Sequence, residues 1–141
     1  MSIQPFSHTH RVTYAECTVG NHVYYGRYLD LLEEARGELF RALGIPLTEL
    51  QVNGTLFPVT ECQLRYKAPA RYDEVLAIEV SISELNRIKI VFGYRIQTGG
   101  KLILEGSTTH VATGLDEKPK RMPMDLLERL ERFKDGLGNA A

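Results

Sequence analysis

Cysteine is nearly missing from this chain: 2 in 141 residues. Cys17 and Cys62 cannot frame a disulfide-stapled fold, and they have no metal or redox spacing. A reducing cytoplasm is the expected location. An excess of one charge is also lacking. The 17 Lys and Arg against 18 Asp and Glu leave a formal net charge of −1, which argues against a nucleic-acid partner. No apolar run approaches the roughly 20 residues that span a bilayer, so no membrane partner is expected. The first ten residues, MSIQPFSHTH, hold no basic segment followed by an apolar one, so no leader peptide is expected; Met1 fits an unprocessed chain. Repeats, low-complexity tracts and linkers are missing too. What remains is ordinary for a globular protein, 43% apolar and 25% charged. Residues 1–141 read as one domain with a real core.

Periodicity supplies the elements. Thr9 to Cys17 reads as a strand with Val12 and Tyr14 on one face. The segment Thr18–Tyr25 is a polar loop. A helix is expected from Gly26 to Leu43, ended by Gly44. Its stripe is Tyr28, Leu31, Leu32, Ala35, Leu39, Ala42 and Leu43. A second row, Leu29, Glu33, Arg36 and Phe40, sets a carboxylate and a guanidinium between two apolar residues, a face suited to a partner subunit or a ligand. Ile45 to Asn53 reads as a short helical turn with Pro46 in its first position. Four strands follow, at Val59–Tyr66, Leu76–Ile82, Ile88–Ile96 and Leu102–Ala112, with Gly99-Gly100 as a tight hairpin turn. Asp125 is placed to cap a last helix that buries Leu126, Leu127, Leu130 and Phe133. A long helix with an antiparallel meander is an α+β layer.

The stretch from Tyr14 to Arg36, YAECTVGNHVYYGRYLDLLEEAR, resembles the hotdog-fold acyl-CoA thioesterases of the 4-hydroxybenzoyl-CoA thioesterase family. The likeness lies at Tyr14, Val23, Tyr24, Tyr28, Leu29, Glu33, Ala35 and Arg36. It continues at Tyr66, Pro69, Ala70, Tyr72, Asp73 and Leu76, then at Glu105-Gly106, Thr109-His110-Val111, Pro119 and Pro123. The resemblance implies a hotdog fold, an antiparallel sheet wrapped around the long helix. It implies hydrolysis of an acyl-CoA or acyl-carrier thioester, with coenzyme A as part of the substrate and no other cofactor. It also implies a homodimer with sheets joined side by side, paired again into a homotetramer, with active sites between subunits. Aligned without gaps, the family's catalytic aspartate falls on Thr18, its histidine on Tyr25, its asparagine on Arg27 and its loop glycine on Asn21. The loop is similar to that of the enediyne-biosynthesis thioesterases, which carry an asparagine at the Thr18 position and are thought to use a helix arginine that aligns with Arg36.

Thioester hydrolysis needs an activated water or a carboxylate nucleophile, and donors for the oxyanion. The loop feeding Gly26 offers the donors as free N–H groups at a helix start. For the water, the candidates are Thr18, Glu33, Arg36, His22 and Tyr25. Glu33, flanked by Leu29 and Phe40, is expected to be partly buried and suited to a general base, or else paired with Arg36 at i+3. Glu34 is expected on a solvated face. Tyr24, Gly26, Arg27 and Tyr28 are read as lining the substrate. Arg71, Arg87, Lys89, Lys118, Lys120 and Arg121 are candidates for the coenzyme A phosphates. Cys17 reads as a small buried residue rather than a nucleophile. His8, His10, His22 and His110 hint only faintly at a metal site, and none is expected. The rival functions are a non-hydrolytic acyl-thioester binding protein with the same pocket, and a hotdog dehydratase.

Overall fold

The computed structural model describes residues 5–136. Strand β1 (Phe6–Arg11) leads through a 3-10 turn (Tyr14–Glu16) to two short strands, β2 (Cys17–Thr18) and β3 (His22–Val23). Helices α1 (Arg27–Ala42) and α2 (Leu47–Val52) come next. Strands β4 (Val59–Tyr66), β5 (Val75–Leu85), β6 (Lys89–Thr98) and β7 (Lys101–Val111) precede α3 (Met124–Lys134). The main sheet is five-stranded in the order β1-β5-β6-β7-β4, and β2 pairs with β3 apart from it. Every pairing is antiparallel. This is the expected α+β hotdog arrangement.

Alternation decides which side of the sheet is covered. Leu76, Ile78, Val80 and Ile82 of β5 and Ile90, Phe92, Tyr94 and Ile96 of β6 are all buried, while their neighbours are not. Helix α1 lies on that face with Tyr28, Leu31, Leu32, Ala35, Leu39 and Phe40 buried. Two positions differ from the periodic reading. Ala42 is exposed because the helix ends there. Phe40 leaves the flanking row for the core, where its ring lies 6.2 Å from that of Phe57 and 6.1 Å from that of Phe92.

Helix α1 stops in a Schellman arrangement. Gly44, at φ +79°, sends its N–H to the Arg41 carbonyl, and Ile45 sends its own to Phe40. The β6–β7 hairpin closes on Gly99 and Gly100, at φ +53° and +78°, which a type I′ turn requires. Helix caps differ from expectation: Pro46 and Pro123 are N-cap residues, and Asp125 sits inside the first turn of α3 rather than capping it.

The strand expected over Thr9–Cys17 is broken. Val12 is buried and gives its N–H to Glu74, but the Glu16 side chain then accepts the Thr13 N–H at 2.7 Å and closes a capping box. Local hydrogen bonding wins over strand propagation, and Tyr14 ends 79% exposed rather than beside Val12. No helix among the described residues is long and apolar enough to cross a membrane.

Candidate active site

The β2–β3 turn sits at the entrance to α1. Gly20 and Asn21 take left-handed backbone angles, φ +93° and +58°, and the Asn21 N–H bonds the Thr18 carbonyl at 3.1 Å. The segment Ala70–Tyr72 straps this turn down. Val23 gives its N–H to Ala70 at 2.8 Å, the Asn21 side chain accepts from the Tyr72 N–H, and Arg71 Nη1 reaches the carbonyls of Gly20 and Asn21. Arg71 thus serves as a loop strap through Nη1, with the rest of its guanidinium at the surface.

Helix α1 then starts at Gly26 with no side-chain cap. A Cβ at Gly26 would press on the Tyr24 ring at 2.9 Å, so the Tyr24 side chain packs over the bare glycine. Among the described residues, the N–H groups of Tyr25, Gly26 and Tyr28 find no acceptor. A recess of about 310 Å³ borders this start, between His22–Tyr28 on one side and Tyr66–Pro69 on the other. Its wall is aromatic: Tyr66 meets Tyr28 at 5.6 Å and Tyr25 edge-on at 6.3 Å, and its hydroxyl donates to the Tyr25 carbonyl at 3.2 Å. Burial pushes the Tyr28 and Tyr66 hydroxyls above the usual phenol pKa, so both stay protonated.

His22 and Tyr25 therefore share the recess with Tyr28. Thr18 lies on the exposed turn, outside the recess wall. Glu33 is exposed rather than partly buried as expected, and among the described residues it pairs with no cation. Arg36 turns away from Glu33 toward the sheet and donates to the Tyr94 hydroxyl at 2.9 Å. Glu34 is not simply solvated, since its carboxylate accepts from His8 at 2.8 Å, while His10 bonds Glu16 at 2.9 Å. Among the described residues no group of three or more His, Cys, Asp or Glu is placed to hold a metal ion. Cys17 is half-buried, with its thiol 3.6 Å from the Thr13 carbonyl.

The basic candidates are scattered. Arg27 pairs with Asp30 and Lys89 with Glu84. Arg87 donates to the Met122 carbonyl, and backbone bonds from Met122 to Arg87 and from Lys120 to Ala112 bring Arg87, Lys118, Lys120 and Arg121 to one end of the sheet. Tyr66 is level with Leu104 and Ile96 at the other end, eight residues from Ile88, or about 26 Å. Within one chain that cluster does not reach the recess. A larger hollow, about 520 Å³, lies on the outer face of the sheet beside Arg65, Glu79, Arg95 and Glu105. Its charges sit opposite one another across the strands. Residue spacing could not find Tyr66 and Lys67 as wall residues, because their place depends on β4 crossing the start of α1.

A sheet folded over one long helix, with an uncapped helix start opening on an aromatic recess, defines a protein of the hotdog class. The chain belongs to the thioesterase-like superfamily, whose family profile matches residues 12–130. It is similar to the putative acyl-CoA thioesterase YneP of Bacillus subtilis, 32% identical over 101 residues that cover 71% of this chain and 73% of that one. The acyl-CoA thioesterase YbgC of Haemophilus influenzae is 33% identical over 108 residues, 76% of this chain and 79% of that protein. Among solved structures, the hypothetical protein TT1821 of Thermus thermophilus superposes with a TM-score of 0.86 at 31% identity, covering 90% of this chain and 98% of that one.

Proposed function

We propose that this chain hydrolyses acyl-CoA thioesters, with acyl-carrier thioesters as the other substrate of the same chemistry, in the recess at the start of α1. The observation that carries the reading is the meeting of unbonded helix-start amides with a recess that also holds His22. Relatives named acyl-CoA thioesterase, each covering more than two thirds of this chain, support it.

The thioester carbonyl lodges against the amides of Tyr25, Gly26 and Tyr28, where the helix dipole favours negative charge. Water attacks the carbonyl carbon, and the imidazole of His22 takes its proton. The C–S bond breaks, and the proton passes to the departing thiolate. Thr18, which stands where the 4-hydroxybenzoyl-CoA thioesterases carry their aspartate, offers a hydroxyl to hold water but no carboxylate. Tyr24, Tyr25, Gly26, Arg27 and Tyr28 line the thioester's path. The β4 edge supports a second copy of the chain joined side by side: all its residues but Leu64 are exposed. In a dimer, or a dimer of dimers, the basic cluster of Arg87, Lys118, Lys120 and Arg121 from one copy meets coenzyme A bound at another. Two free cysteines suit a reducing cytoplasm.

Turnover of a panel of acyl-CoAs, followed by release of free thiol, tests the activity. Coenzyme A binding without hydrolysis of any substrate would overturn it. His22→Gln is expected to lower kcat about a hundredfold, and a rate unchanged in His22→Gln but lost in Glu33→Gln would move the base to the helix carboxylate.

A further inference from the structure

Four side chains and one carbonyl form a hydrogen-bonded line beneath α1. Arg36 Nη1 lies 2.9 Å from the Tyr94 hydroxyl, Tyr94 lies 2.6 Å from Thr108 Oγ1, Thr108 lies 2.8 Å from His110 Nε2, and His110 Nδ1 lies 2.9 Å from the Phe57 carbonyl. Chemistry fixes the direction of each bond. The Phe57 carbonyl can only accept, so Nδ1 carries the proton. With the ring neutral, Nε2 accepts and Thr108 must donate to it. The Thr108 oxygen then accepts from Tyr94, which leaves the phenol a lone pair for the guanidinium. Burial above all, and the Arg36 charge after it, lower the His110 pKa to about 4, against the pull of the Phe57 bond, so the ring is neutral at physiological pH. The line runs one way, from the cation inward.

We propose that Tyr94, Thr108 and His110 are positioning residues for Arg36, holding its guanidinium as a fixed cation that faces the acyl-thioester. The inference rests on the function proposed above and adds Arg36 to it as a substrate-contacting group. Three observations set it apart from ordinary core packing. Tyr94, Thr108 and His110 are 2, 3 and 2% exposed, whereas the two ends of the line, Arg36 and Phe57, are half-buried, so Arg36 is the charged end that meets solvent. Among the described residues Arg36 pairs with no carboxylate, so its charge is left for a ligand oxygen. The rings are also clamped: Phe92 meets His110 edge-on at 5.2 Å and Tyr94 at 6.5 Å. Arg36 stands nine residues after Arg27, about 13 Å further along the helix. A flexible side chain would sweep much of that distance, whereas the Tyr94 bond limits Arg36 to one place.

A double-mutant cycle on acyl-CoA hydrolysis tests the proposal. Arg36→Gln is expected to reduce kcat/KM. Tyr94→Phe and Thr108→Val, which keep side-chain volume, are expected to reduce it by about tenfold to a hundredfold through misplacement of Arg36, with thermal unfolding verifying that each variant is folded. Added to Arg36→Gln, either change should cost less than about a further twofold. An equal loss in both backgrounds would overturn the proposal, since it would mark the line as merely structural. Arg36→Gln impaired beside fully active Tyr94→Phe and Thr108→Val would overturn the positioning role and leave the hydrolase reading standing. Unimpaired Arg36→Gln would remove Arg36 from the substrate, and a wild-type chain inactive on every thioester would sink the hydrolase reading itself.

Discussion

At the residue scale, Tyr28 shows how one side chain joins the core to the site. Its ring is buried within α1's apolar stripe, and its hydroxyl accepts the N–H of fully buried Ala70 at 3.2 Å. Ala70 in turn takes the Val23 N–H and so holds the loop that enters the helix. Tyr28→Phe keeps the packing but strands the Ala70 amide, which costs about 1–3 kcal/mol. Thermal denaturation is expected to show a melting temperature lowered by several degrees; an unchanged value would mean that the amide does not depend on the phenol. Arg36 marks the limit of residue-level reading. Helical spacing pairs it with Glu33 at i+3, but its long side chain bonds Tyr94, 58 positions away. Only the folded sheet brings that partner within reach. Tyr94 and Thr108 looked like ordinary strand residues, and His110 stood out only in the family resemblance and as a faint metal candidate, because a hydrogen-bonded line across β6 and β7 leaves no mark in linear spacing.

At the scale of elements, the weak point is the pairing of β4 with β7. Gly106 faces Leu64 in the ladder, and a Cβ there would fall on the Gln63 carbonyl and press on Leu64. Backbone cannot rotate aside as a side chain can. Gly106→Ala should therefore part the two strands, cost about 2–3 kcal/mol in chemical denaturation and lower turnover through Tyr66, which β4 carries into the recess. Gly93→Ala is the control. Its Cβ would meet only the Ser81 hydroxyl, at 3.1 Å, which can turn away. Equal losses in the two variants would refute this distinction. Strand alternation made the meander legible, and β4 falls on the expected Val59–Tyr66. It misled at the first strand, where Val12 and Tyr14 continue the alternation through residues that in fact turn. The capping-box spacing of Thr13 and Glu16 was the competing sign. The recess was only half legible: its loop wall, His22 and Tyr25, is local, whereas its Tyr66–Pro69 wall depends on tertiary crossing.

At the scale of the whole molecule, acid should expose how the buried line is built into stability. Unfolded His110 takes up a proton below about pH 6.5, whereas in the fold it resists until about pH 4. The unfolded state thus binds more protons between those values, and stability falls as pH falls. At pH 5 the gap of about 1.5 units corresponds to roughly 2 kcal/mol, approaching about 3 kcal/mol near pH 4. Glu16 acts in a lower window. Burial works against its charge, but hydrogen bonds from Thr13 and His10 hold its carboxyl below 4.5, so its contribution is intact at pH 5 and is lost only as pH drops through its lowered pKa. The two windows separate by pH. Between pH 7 and 5, chemical denaturation of the wild type is expected to lose about 2 kcal/mol more than His110→Asn, which starts from a lower stability but no longer carries the titrating ring. Contributions from the other histidines are common to both proteins and cancel in the difference. Parallel losses in the two would show that His110 does not set the acid sensitivity. A smaller loss in the variant would confirm that the neutral ring, which orders the bonds from Phe57 out to Arg36, is maintained at a thermodynamic cost that acid reveals.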